Sequence, residues 1–386
     1  MLDISPVFTS FLLIAGAISF LYVFIIALLT TGWLIIKSWK KTDAHPEVNI
    51  SLIIAARNEA ENIEGLLQDI VQQQYPSGLF EAIVVDDHST DDTGEIVQTF
   101  GYRMQDTGCR MILVKNDGMG KKAAIRKGVE MASGDLIVTI DTDCRVGSEW
   151  LSSIASYYEK HKPKLISAPV VIGETNGFFK SFQSMELMSL VASGAGSIGI
   201  RRPIMCNGAN LAFEKEAFWE ANSNAKDLKY ASGDDIFLLL KIKKLYGSRS
   251  IHFLKSPAAI VETRAKKSIR EYFNQRFRWV SKSKGYRDPM IISVAIVVFL
   301  FNLLLITSSI FACQSLYLTR AVAALWFIKI LIDLPILISF SIFAGKDKIM
   351  GYYFFFQVIY VPFAVITAIW GILSGRFRWK DRKIRN

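Results

Sequence analysis

Acidic side chains that follow short apolar runs are the first residues of this sequence able to do chemistry. Asp86-Asp87-His88-Ser89 comes after Ala82-Ile83-Val84-Val85, and Asp141-Thr142-Asp143 comes after Leu136-Ile137-Val138-Thr139-Ile140. Paired acids in such places suit Mg²⁺ or Mn²⁺ carrying a diphosphate, one carboxylate holding the ion while its neighbour braces the site or meets the ligand. The same residue types also cap helices and make turns, but two such clusters at successive strand ends weigh towards a site. A third pair, Asp234-Asp235, follows Gly233 and precedes the apolar run Ile236-Phe237-Leu238-Leu239-Leu240. At a helix start the dipole keeps acids ionised, so this pair reads either as a cap or as a general base worth roughly 10²–10⁴ in rate.

Basic residues complement these acids. Gly118-Met119-Gly120-Lys121-Lys122 precedes a helical pattern, where backbone N–H groups and a lysine can meet phosphate, although it is neither a GxxxxGK[ST] loop nor a GxGxxG fingerprint. Between Arg264 and Arg287 nine Lys and Arg residues face only Glu271 and Asp288. Ile269, Tyr272, Phe273, Phe277 and Val280 recur there at helical spacing, the pattern of a helix lying in the headgroup layer. Basic residues interleaved with aromatics could also suit nucleic acid; the apolar segments alongside favour anionic lipid or a substrate diphosphate instead. Phe178 to Met188 is a second interfacial candidate, or simply core. Cys109, Cys144, Cys206 and Cys313 stand apart, without the spacing of a zinc cage or a disulfide scaffold.

The elements that must position these groups alternate. β-rich runs at Ser51–Ala55, 82–85, 111–114 and 136–140 are separated by helical patterns near 60–74, 91–100 and 121–132, the sequence form of a βαβ fold with a mainly parallel sheet. Ligands in such sheets bind at the carboxyl ends of the strands. The chain is 386 residues long, 51% hydrophobic and formally +10, which excludes disorder and points to a membrane protein. A hydrocarbon core about 30 Å thick needs roughly 20 apolar residues, and Phe8–Ile36 has more than that without a charge. Further candidates lie at about 290–312, 321–344 and 352–374. The expected divisions are a membrane anchor at 1–40, a catalytic region at 41–263, a basic interfacial helix at 264–289, three spans at 290–374 and a basic tail at 375–386.

Lys37, Lys40 and Lys41 after the first span place the central region in the cytosol by the positive-inside rule. Three more crossings would then put the tail outside, against the charge of Arg376 to Arg385. Either the tail breaks the rule or one late segment does not cross, for instance the one interrupted by Lys329, Asp333 and Pro335. Lys329 and Asp333, four apart, would share a helix face and neutralise each other.

Taken in order, Ala56-Arg57-Asn58-Glu59, Asp86-Asp87-His88-Ser89, Gly120-Lys121-Lys122-Ala123-Ala124, Asp141-Thr142-Asp143, Asn207-Gly208-Ala209-Asn210, Gly233-Asp234-Asp235 and Gln275-Arg276-Phe277-Arg278-Trp279 resemble the membrane-bound, inverting family-two glycosyltransferases, over roughly residues 48–285. That group includes cellulose, chitin and hyaluronan synthases and ceramide glucosyltransferase. The resemblance implies an α/β glycosyltransferase-A, Rossmann-like domain facing the cytosol of a cell or inner membrane, flanked by transmembrane helices. It implies a donor that is a nucleotide-diphosphate sugar, UDP-linked by preference, Mg²⁺ or Mn²⁺ on Asp141 and above all Asp143, and an acceptor hydroxyl on a lipid or glycan. Ala56, Asn58, Glu59, Asp87, Lys121, Asp141 and Arg278 would bind the donor, Asp235 would be the base, and Asp234, Gln275 and Trp279 would line the acceptor mouth. Two positions depart from the pattern: the first motif lacks a proline often seen there, and His88 occupies a turn position usually held by glycine. Membrane lipids are implied as partners, nucleic acid is not, and no protein partner is named. A polyprenyl-phosphate sugar transferase and a nucleotide-sensing membrane protein are the alternatives; the Gln275-to-Trp279 motif argues against the first, and both would leave Asp235 without a task.

Overall fold

The computed structural model describes residues 6–41, 46–104, 109–223, 234–374, 376–379 and 382–385. Helix α1 (Pro6–Ile35) leads into the alternating run β1 (Ile50–Ala56), α2 (Ile63–Val71), β2 (Phe80–Asp86), α3 (Thr93–Met104), β3 (Arg110–Lys115), α4 (Lys121–Met131) and β4 (Leu136–Asp141). Next come β5 (Arg145–Val146), α5 (Trp150–His161), β6 (Leu165–Ser167), β7 (Val170–Ile172), α6 (Phe178–Gly199), β8 (Leu211–Glu214), α7 (Lys215–Ala221) and α8 (Asp234–Tyr246). The rest is β9 (Ile251–Phe253), β10 (Val261–Thr263), α9 (Ile269–Ser281), α10 (Pro289–Phe311), α11 (Leu316–Phe343), α12 (Tyr353–Ser374), β11 (Arg376–Trp379) and β12 (Arg382–Arg385).

Seven strands form the main sheet in the order β3-β2-β1-β4-β8-β6-β9. The β1–β2, β2–β3, β1–β4 and β6–β9 pairs are parallel, while β8 runs antiparallel to both β4 and β6. Leu52, Ile54, Ala82, Val84, Leu136 and Val138 are fully buried, as strands covered by helices on both faces must be. Because β2 and β4 flank β1 on opposite sides, the chain reverses its winding there and a crevice opens at the strand ends. Register then aligns the motifs: Ala56 pairs with Asp86, and Ala55 with Asp141. β5, β10 and β7 make a second, small sheet.

Helix α6 is one continuous 22-residue element, so the stretch from Phe178 to Met188 is only its first half. Phe182, Met185, Met188, Ala192 and Ala195 are buried, which removes the amphipathic stripe that would have announced it. Its far end meets α1 at backbone distance. A Cβ on Gly196 would stand 2.0 Å from the Leu29 carbonyl oxygen, and one on Gly199 2.0 Å from that of Gly32, so only glycine admits this crossing.

Helices α1, α10, α11 and the segment Asp347–Leu373 are long and apolar enough to cross a membrane. Lys329 and Asp333 do pair on α11, Nζ to Oδ2 at 2.5 Å, and Tyr22 of α1 bonds to both, at 2.6 and 2.7 Å. Gln357 of α12 adds a bond to Asp333 at 3.2 Å, so the charges tie three helices together. α11, the segment offered as one that need not cross, is a single helix continuous through Pro335. α12 behaves differently. Just before it, Lys346 donates to the Gly173 carbonyl and reaches Glu262, both in the α/β domain. At its other end a Cβ on Gly371 would touch Val280 of α9 at 2.6 Å, and Trp370 lies against Phe277. The turn before α12 is therefore held by the α/β domain and the far end of the helix by α9. Its middle reaches Tyr22 and Phe301 through Val361, next to a proline at 362.

Candidate active site

The turn after β2 is built around left-handed backbone. His88 has φ +61°, a conformation that favours glycine, and Arg57 supports it by donating to the Asp87 and His88 carbonyls at 2.6 and 2.9 Å. Asp87 is buried, its Oδ1 accepting from Asn116 Nδ2 at 2.7 Å and from Gly120 N at 2.9 Å. It thus fixes the loop that starts α4, where Gly120 at φ +89° is followed at once by Lys121. Lys121 pairs with Asp141 across the crevice.

Asp141 and Asp143 face opposite electrostatic fates. Desolvation in the cleft would push the Asp141 carboxyl up, but Lys121, then Arg278 and Lys266, outweigh it and hold it below the usual carboxylate range. Desolvation pushes Asp143 up, the neighbouring Asp141 charge adds to it, and Lys266 at 3.5 Å only partly opposes it. Arg278 has Asp141, Asp235 and Asp143 as its acidic neighbours, and desolvation lowers its pKa against their pull. The charge of Asp143, which Lys266 compensates only in part, is what a divalent cation shared with Asp141 would relieve. Among the described residues no three acidic, His or Cys side chains gather at one point. Two carboxylates with the remaining positions left to phosphate oxygens and water fit Mg²⁺ or Mn²⁺.

Asp235 begins α8. Its Oδ2 accepts from Gly208 N at 3.1 Å and its Oδ1 from Ile236 N at 2.9 Å. Gly208 belongs to the Asn207–Asn210 motif, whose other end is structural: Asn210 donates to the Pro169 and Ala259 carbonyls, both at 2.8 Å. Two adjoining cavities share Lys121, Asp141, Gln275 and Arg278. One extends to Ala56, Glu59, Asp87 and Asp143, the other to Asp235 and Trp279. Of the described residues singled out by sequence as site residues, Asn58 is the one not brought here. Asn58 lies off both walls, its Oδ1 accepting from Thr90 N at 2.8 Å, because its φ of +49° turns it into the loop. The Asp234 side chain and Gly233 lie outside the described residues.

Sequence reasoning missed Lys266 as a site residue, one cation among nine. It also missed the bracket that positions it: Gln183 of α6 donates to the Lys266 carbonyl at 3.0 Å and accepts from its N–H at 2.8 Å. Glu186, one turn along, receives both Arg276 Nε, at 2.9 Å, and Nη2.

With this geometry in view, the comparisons are decisive at the family level. The pattern of glycosyl transferase family group 2 matches residues 136–371, more than half of the chain, and that of glycosyl transferase family 2 matches 51–220. The chain belongs to the family-two glycosyltransferases of the membrane type. Among curated family-two relatives, glycosyltransferase AglE of Haloferax volcanii is 30% identical over 37% of this chain and 48% of its own length. Beta-monoglucosyldiacylglycerol synthase of Nostoc is 26% identical over 36% and 30%, and poly-beta-1,6-N-acetyl-D-glucosamine synthase of Staphylococcus aureus is 25% identical over 58% and 53%. The chain thus spans about half the length of these relatives or less. The mannosyltransferase PcManGT of Pyrobaculum calidifontis, solved with GDP-Man and Mn²⁺, superposes with a TM-score of 0.55 at 17% identity, covering 90% of this chain and 99% of that one. That likeness shows the glycosyltransferase-A-like α/β fold.

Proposed function

We propose that the protein transfers a sugar from a nucleotide-diphosphate sugar, a UDP-sugar by preference, to a hydroxyl of a lipid-linked or growing polysaccharide acceptor, with inversion. The observation that carries this is the convergence of Asp141, Asp235 and Arg278 on one cavity, with Asp143 in the cavity that adjoins it. On this reading Lys121 and Arg278 grip the diphosphate, and Asp87 with the Ala56–Glu59 strand end frames the nucleoside. Asp235 takes the proton of a hydroxyl that attacks the anomeric carbon from the face opposite the leaving group. Gln275 and Trp279 shape the acceptor side, an indole face being suited to a sugar ring. Asp141 and Asp143 would hold Mg²⁺ or Mn²⁺, which when bound neutralises charge on the leaving diphosphate. Charge preorganised where the leaving group develops it is usually the largest catalytic contribution.

The test is the purified full chain in lipid, offered a panel of nucleotide sugars with either metal or with a chelator. Expected are release of nucleoside diphosphate, a product of inverted anomeric configuration by NMR, and at least tenfold loss on chelation. Turnover with retained configuration, or none with any donor, would overturn the proposal.

The same reading sets the topology. With the α/β domain in the cytosol, α1, α10 and α11 cross, and α12, whose preceding turn is held by that domain and whose far end is held by the interfacial helix α9, stays on that side without completing a crossing. The tail then lies on the cytosolic side, as its charge requires, and the parity conflict vanishes. A protease-cleavable tag after residue 386 is expected to be cut in inside-out vesicles and protected in right-side-out ones. The reverse pattern would make α12 a full crossing.

A further inference from the structure

The cavity that contains Asp235 has two unlike parts. Its charged lining residues are Lys121, Asp141, Asp235 and Arg278, linked to one another by the contacts already described. The remaining wall is mostly apolar, with Leu187, Leu190, Val191 and Gly194 from one side of α6, Met205 packed beside them, and Tyr286. Met205 presses on α6: a Cβ on Gly194 would meet its side chain at 2.9 Å. These walls belong to elements that touch the spanning helices. α6 crosses α1 at Gly196 and Gly199, and Tyr286 stands three residues before Pro289, where α10 begins.

The geometry points to an acceptor whose hydroxyl is borne directly on an alkyl body: a membrane lipid alcohol with an uncharged head, its hydroxyl at Asp235 and the start of its chain along α6. This inference rests on the transferase reading and narrows its acceptor. A glycan laid against Leu187, Leu190, Val191 and Met205 would leave hydroxyls without partners, each a substantial loss in a desolvated site. A lipid phosphate would bring a second anion beside Asp141 and Asp235, with no cation lining this cavity, among the described residues, beyond the Lys121 and Arg278 that the donor diphosphate needs. Methylenes gain from the same wall. In the step, the lipid oxygen forms a bond to the anomeric carbon, and the bond from that carbon to the nucleoside diphosphate breaks. The leaving group keeps the electron pair, and the hydroxyl proton passes to Asp235.

The purified full chain, with its preferred donor and metal, is given three acceptor sets: water-soluble lipid alcohols of increasing acyl length, polyprenyl phosphate, and a soluble oligosaccharide. Transfer to the alcohols is expected, with KM falling up to about three- to fourfold per methylene before levelling off. Leu190→Glu is expected to raise that KM at least tenfold with the Kd of the nucleotide sugar unchanged. Preference for the oligosaccharide or the phosphate, or a KM independent of chain length, overturns the lipid-alcohol assignment and leaves the transferase reading standing. If no sugar leaves any donor in any arm, the transferase reading itself falls.

Discussion

Replacing Asp235 by Asn is expected to lower kcat by about 10²–10⁴-fold, the range in which a positioned general base acts, while the Kd for nucleotide sugar stays within about twofold. The geometry makes the substitution a clean one. Asp235 is held by the backbone N–H groups of Gly208 and Ile236, which an amide oxygen still accepts in part, and it packs so close to Gly208 that a Cβ there would stand 3.4 Å from its own. Side-chain shape is kept and basicity removed. Asp235 also contributes negative charge near Arg278, so any modest tightening of diphosphate binding through a freer guanidinium would be read separately, by calorimetry with the nucleoside diphosphate. Parent-like kcat in Asp235→Asn would remove this residue from the base role and return the polyprenyl-phosphate acceptor, which needs no base, to the front.

What sequence could reveal here followed from backbone order. Asp86, Asp141 and Ala56 sit at the ends of strands that pair in register, so knowing that each motif follows an apolar run is nearly enough to place them together. The left-handed turn at His88 was marked in the same way, by a residue standing where glycine is favoured. Motif logic was weaker where a side chain serves the scaffold. Asn58 satisfies Thr90, and Asp87 satisfies Asn116 and Gly120, and neither choice is visible in residue type. α6 was the largest omission, because a helix buried all round carries no period to read, and its partners lie far along the chain. The proposed course of α12 was half visible: charge parity left either a tail that breaks the rule or one late segment that does not cross, and the tertiary contacts of Gly371 and Lys346 are what support α12 as that segment.

Those contacts through α6 lead to the second large effect. Arg276 and Glu186 are each about 6% exposed and bonded bidentately, on helices α9 and α6, ninety residues apart in sequence. The guanidinium also lies over Trp279 at 4.1 Å and Tyr272 at 4.5 Å, and donates to Gln275 Oε1 at 2.5 Å. It therefore touches both side chains that α9 contributes to the acceptor side of the cavity, which makes it a positioning residue. Glu186→Ala would leave that cation desolvated without its counter-charge, at a cost of about 3–5 kcal/mol in stability. Loss of activity in this variant alone would not separate positioning from unfolding. The discriminating protein is the double variant Glu186→Leu, Arg276→Met. Removing both charges from a buried pair is often neutral for stability, so thermal unfolding in detergent is expected to return close to the parent. Gln275 and Trp279 would still lack their anchor, and kcat/KM for the acceptor is expected to remain at least tenfold low with donor Kd intact. Full recovery of acceptor kcat/KM along with stability would show that the pair only holds α9 to α6.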